Sequence, residues 1–153
     1  MKKNKKGLTL VEVLVAMAII ATVVIGMMEL FIYSTVLSES TRNLSNAFRE
    51  AQSKMEEIRN HSYSLLTTDY VSGGTPGDTF SLSLMTGEGV IYIDSSNSSL
   101  LQITIVVSWE NTRTGRTVGE DVNFNGVLDT GEDTNGNGQI DSPATLVSLI
   151  AYR

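Results

Sequence analysis

The stretch MKKNKKGLTLVEVLVAMAIIATVVIGMM (residues 1–28) decides how the rest of the chain is read. Lys2, Lys3, Lys5 and Lys6 lead to Gly7, and the sixteen residues 13–28 carry no charge. As a helix rising about 1.5 Å per residue, that run covers roughly 24 Å of a hydrocarbon core about 30 Å thick. Counted from Leu8, the run has twenty-one residues and reaches about 31 Å, which spans the core. Spanning takes Glu12 into or near the edge of the bilayer, where a carboxylate is by default functional and needs a partner. The lysine cluster sets the orientation, because positive flanks stay on the cytoplasmic side. The expectation is a single pass through the inner (cytoplasmic) membrane, with a cytoplasmic N-terminus and an exported remainder.

At 153 residues the chain allows one modest domain plus an appendage. Cysteine is absent, so no disulfide staples the fold. The formal charge is -6, and the four leading lysines leave -10 on everything after Gly7. That balance argues against nucleic acid as a partner, since phosphate contacts need a basic face.

Three readings of the first segment compete. A secretory signal peptide has basic, apolar and small-residue regions in order, and Ala16-Met17-Ala18 imitates its cleavage site, but the apolar stretch before it is short and contains Glu12. A plain anchor leaves the glutamate as an unexplained cost. Cleavage after Gly7 would place the new α-amine of Leu8 one helical turn from Glu12, at i and i+4. Gly7 followed by Leu8-Thr9-Leu10-Val11-Glu12, behind a basic leader, resembles the prepilin peptidase recognition pattern of type IV pilins and type II secretion pseudopilins. The resemblance implies cleavage between Gly7 and Leu8 and N-methylation of Leu8. It also implies that Glu12 pairs with the terminal amine of a neighbouring subunit in a filament. Most members begin the mature chain with phenylalanine, where this chain has Leu8.

Beyond the membrane, Leu37, Leu44, Phe48, Ala51, Met55 and Ile58 form a seam of roughly seven-residue period. No proline or glycine interrupts residues 27–61, so one helix of about fifty residues is expected. The words EVLVAMAI and AQSKMEEIRN resemble PilV-type minor pilins and the related minor pseudopilin. Residues 72–78 are a turn-rich loop, and residues 79–85, 89–94, 100–109 and 144–152 read as strands. Leu101, Ile103, Ile105, Val107 and Trp109 share one strand face. The fold class expected is α+β and type IV pilin-like: a long N-terminal helix, transmembrane in its first half, packed on a small antiparallel sheet. The organisation is a leader at 1–7, a helix at 8–61 (membrane-spanning over 8–33, amphipathic over 34–61) and a β-rich exported head at 62–153. No constellation of acid, base and nucleophile stands out. The single histidine, His61, reads as a helix C-cap or a solvated residue.

Residues 120–141, EDVNFNGVLDTGEDTNGNGQID, hold six acidic residues and no basic one. With Asp121 at position 1 of a calcium loop, Asn123, Asn125, Gly126, Asp129 and Glu132 fall at 3, 5, 6, 9 and 12, and Val127 offers a backbone carbonyl at 7. A second copy starts at Asp133, with Asn135, Asn137, Gly138, Gln139 and Asp141 in the same phases, and Leu128 and Ile140 correspond. Ala144 stands where the second copy should have its final glutamate, which marks that copy as the weaker site. A flexible Asn/Gly-rich loop is the plain alternative, but it leaves the repeated acidic phase unexplained. The copies abut without room for helices, so structural Ca²⁺ is expected within an insertion at 120–142. By the family resemblance, the insertion sits at the tip of a hairpin joining the Trp109 strand to the final one.

The combined expectation is a minor type IV pilin, a structural subunit and not an enzyme, residing in the inner membrane and then in the periplasm or a cell-surface pilus. Its partners would be other pilin or pseudopilin subunits, prepilin peptidase and the inner membrane, with no nucleic acid and no small-molecule substrate. A minor pseudopilin of a type II secretion system and a pilin-anchored calcium-dependent adhesin are the rivals.

Overall fold

A computed structural model describes residues 9–97 and 99–152. The chain divides into two compact units, residues 1–39 and 40–153. Helix α1 runs Leu10–Arg59, fifty residues in all. From residue 13 to residue 28 it is apolar on every side but for Thr22, and its large apolar side chains there are exposed, a pattern that suits a lipid surround. By length and composition α1 is able to cross a membrane.

In the second unit, α1 ends at Arg59 and is followed by a 3₁₀ turn at Tyr63–Leu65 and a single-turn helix α2 at Leu66–Asp69. Five strands form one antiparallel sheet: β1 Thr79–Ser81, β2 Gly87–Asn97, β3 Leu100–Asn111, β4 Arg116–Val118 and β5 Ala144–Ala151. β3 is the central strand. β2 pairs with one side of it, while β5 (against residues 100–107) and β4 (against residues 109–111) share the other.

The alternation read in β3 sets the core. Leu101, Ile103, Ile105, Val107 and Trp109 face Ala47, Ala51, Met55 and Ile58 of α1 in one buried cluster. Burying each large side chain is worth about 1.5–3 kcal/mol. The expected seam needs two corrections. Leu37 is exposed and lies in the first unit, and Ala47, absent from the seam, is fully buried. The reason is packing distance: a small residue lets the helix approach β3, where a larger one would hold it off.

The strands also differ from expectation in places. β1 covers only three of the seven residues anticipated. The Glu50 carboxylate of α1 accepts the N–H groups of Ser83 and Leu84 at 3.0 and 3.1 Å and draws the chain off the sheet. β4 had no sequence signal strong enough to mark it. The acidic insertion lies in the connection between the antiparallel β3 and β5, as expected, but does not stand clear of the sheet. It follows β4 and folds against the opposite face of the sheet from α1, where Ile140, with Leu128 beside it, packs on Val90 and Val106. The sheet is therefore covered by the helix on one face and, around Val90 and Val106, by the acidic loops on the other, where Val147 and Leu149 of β5 stay exposed.

Candidate functional site

Two segments carry the chemistry, and they lie in different units. In the first unit, Gly7 and Leu8 fall outside the described residues. Thr9 precedes α1, and its N–H and Oγ–H both donate to Glu12 Oε2 at 2.8 Å, while Glu12 N–H donates to Thr9 Oγ1 at 3.3 Å. This is a capping box, in which a hydroxyl and a carboxylate three residues apart satisfy the first orphan N–H groups of a helix. The T-x-x-E spacing of Thr9 and Glu12 is the signal in the sequence that marks this cap.

The acidic loops are built by local hydrogen bonding. Asp121 accepts Asn125 N–H at 3.1 Å on Oδ1 and Gly126 N–H at 2.9 Å on Oδ2. Asp133 repeats this with Asn137 N–H at 3.1 Å and Gly138 N–H at 2.9 Å. Asn123 and Asn125 donate their amides to Asp129 Oδ2, each at 2.8 Å, and Asn135 and Asn137 donate theirs to Asp141 Oδ2, each at 2.6 Å. These donors, Asn123 foremost, hold the Asp129 carboxyl below the usual carboxylate range. Val127 and Gln139, at position 7 of each copy, donate N–H to Asn125 and Asn137 Oδ1 at 2.7 and 2.8 Å.

Each loop turns through left-handed backbone at positions 4 and 6: Phe124 (φ 57°) and Gly126 (72°) in the first, Gly136 and Gly138 (both 76°) in the second. Phe124 accepts that conformation at a cost that glycine avoids. A side chain at Gly126 would also collide with Thr79 of β1. On the sheet side, Ile140 N–H donates to the Tyr92 hydroxyl at 2.9 Å, and burial pushes the Tyr92 phenol up.

The hydrogen bonds of positions 1, 3, 5, 7 and 9 thus recur between the two copies; position 12 has Glu132 in the first and Ala144 in the second. Among the described residues, no three carboxyl or imidazole groups converge into a ready-made cage. The carboxyl oxygens are instead occupied by N–H donors from the backbone and the asparagine amides. Asp121 is fully buried and Glu132 nearly so. Glu132 Oε1 accepts Val122 N–H and Oε2 accepts Asp129 N–H, both at 2.9 Å, which ties position 12 to positions 2 and 9. Glu120, which carried no role in the sequence reading, is also buried.

His61 is neither a plain cap nor solvated. Its Nε2 lies 2.8 Å from Asp69 Oδ2, and its ring meets Tyr70 edge-on at 5.3 Å.

A family model for the prokaryotic N-terminal methylation motif matches residues 2–28. The matched stretch contains Gly7, Leu8 and Glu12, and it supports a type IV pilin or pseudopilin. No curated protein and no solved structure matches the chain.

Proposed function

We propose that the chain is a minor type IV pilin of the PilV type, held in the inner membrane by the first half of α1. Prepilin peptidase cuts it after Gly7, and it enters a pilus through that same helix. The observation that carries this reading is the methylation motif over residues 2–28 leading into a helix long and apolar enough to cross a membrane. Subunits of this kind build filaments and prime assembly; they are not catalysts. Intact-mass spectrometry of protein extracted from membranes tests it. A mature chain starting at a methylated Leu8 is expected, and one starting just after Ala18 would overturn it. A minor pseudopilin shares the motif, and a gene neighbourhood holding a secretin and a secretion ATPase would decide for it.

The acidic insertion is read as a structural calcium site of the head. Support comes from the twelve-residue ligand spacing, kept twice, and from the burial of the Glu120, Asp121 and Glu132 carboxyl groups. Residues 117–152 contain no lysine, arginine or histidine. Buried carboxylates ordinarily require a positive partner. Filling the loops with Ca²⁺ would tie down a long connection on a fold that has no disulfide.

A further inference from the structure

Beside α1, at the end of the sheet where β1 turns into β2 and β3 leaves for β4, lies an open groove of about 510 Å³. Arg42, Asn46 and Arg49 line it, four and three residues apart on α1, and so share one face of the helix. Asn43 is the buried member of the lining. It is 5 % exposed, and its carboxamide has no hydrogen-bond partner among the described residues. A buried amide in that state costs stability until something supplies its partners. Arg42 and Arg49 are exposed at the rim, and neither guanidinium pairs with a described carboxylate. Leu84, 58 % exposed, adds an apolar edge, and Glu110 of β3 adds an acceptor. A fitting occupant therefore brings carboxylate and amide N–H groups together with an apolar side chain.

We propose that this groove receives the acidic insertion of a second copy of the chain, first loop foremost, in a head-to-tail contact. Residues 120–141 hold six acidic residues and no basic one, and the groove answers them with two arginines. The first loop presents the matching groups on its outside: Val127 is 57 % exposed, and Asn125 and Asp129 are exposed as well. The amides of Asn123 and Asn125 both fall on Asp129 Oδ2, which leaves Oδ1 for an outside donor. Within one copy the sheet keeps the two surfaces apart. α1 packs on one face, and the insertion packs on Val90 and Val106 of the other. A contact between unlike patches is heterologous, so it passes from copy to copy instead of closing as a symmetric dimer. The inference goes beyond the subunit role proposed above and rests on neither the methylation motif nor calcium.

The chain has no cysteine, so single cysteines placed at two exposed positions report the contact cleanly. Full chains carrying Leu84→Cys and Val127→Cys should crosslink when mixed in detergent, with EGTA present so that no cation competes for Asp129. Either variant alone should not crosslink, because the contact joins unlike patches. Adding Arg42→Glu or Arg49→Glu to the Leu84→Cys chain should lower the mixed yield by about tenfold or more, as like charges oppose docking. Arg59→Glu makes the same charge change on an exposed residue ten positions further along α1 and should leave the yield unchanged. Crosslinking of either variant with itself, no crosslinking in the mixture, or equal losses from all three glutamates overturns the proposal. An anionic lipid headgroup or an unrelated acidic protein as the occupant would give the second of these results.

Discussion

Thr9 and Glu12 hold each other across the first turn of α1, the threonine through its N–H and hydroxyl and the glutamate through one oxygen. Glu12 therefore has a local partner before any neighbouring subunit offers an amine. The two roles differ in what they ask of the side chain: a cap needs an acceptor, an amine partner needs a negative charge. Glu12→Gln separates them. It should insert and be processed like wild type, yet its recovery in purified filaments should fall. Equal recovery would leave Glu12 as a helix cap alone. Thr9→Ala should do the reverse, loosening the first turn by about 1 kcal/mol with the charge intact.

The core invites a direct measurement, because Trp109 is the single tryptophan and is buried against α1. Ile103 is fully buried in the same cluster. Ile103→Ala should cost about 2–5 kcal/mol, read as a lower denaturant midpoint by Trp109 fluorescence. Val147→Ala, on an exposed position of β5, should stay within about 0.5 kcal/mol. Similar losses at both positions would contradict the assigned faces of the sheet.

These elements were legible because their signals are local. The apolar run and seam gave α1 to within two residues of its end, and strict alternation gave β3 its buried face. What escaped depends on contacts distant in sequence. Glu50 shortens β1 from thirty-three residues away. Glu120 reaches Thr134 and Asp141 from fourteen and twenty-one residues away, and only the Glu-Asp dipeptide recurring after twelve residues hinted at it. The insertion does lie in the connection between the antiparallel β3 and β5, but its fold back onto the sheet was not legible: Ile140 and Leu128 look like loop residues until Val90 and Val106 offer them an apolar face.

Tyr70 gives the head an alkaline limit. Burial first, then the nearby Glu57 carboxylate, pushes its phenol up to about 12, and the hydroxyl donates to Glu57 at 3.2 Å. A group whose folded value lies above its unfolded value of about 10 contributes fully below that value. The contribution is lost as pH rises toward 12. Stability should therefore decline between about pH 10 and 12, and Tyr70→Phe should flatten part of the decline. A variant with the wild-type slope would show that Tyr70 is not responsible.

Calcium should act on the same head through its other face. Six carboxyl groups within residues 120–141 repel one another when ionised, and a cation that binds only the ordered loops adds its binding free energy to folding. A site of ~10⁻⁴ M at millimolar calcium contributes about 1.4 kcal/mol. Two such sites would raise the melting temperature of the head by on the order of 10 °C. The full chain in detergent should melt higher with calcium than with EGTA. Asp121→Ala should remove most of the gain from the first loop. Asp141→Ala, in the loop that has Ala144 in place of the final glutamate, should be the milder change than Asp129→Ala in the first. Acid should mimic chelation. The Asp129 carboxyl is held below its ordinary value, so its contribution is present above about pH 4 and is lost as pH falls through the lower folded value. Protease sensitivity of residues 120–141 should rise both with EGTA and below that pH. If calcium changes neither melting nor cleavage, the insertion is held by its asparagine and backbone hydrogen bonds alone, and the metal reading fails.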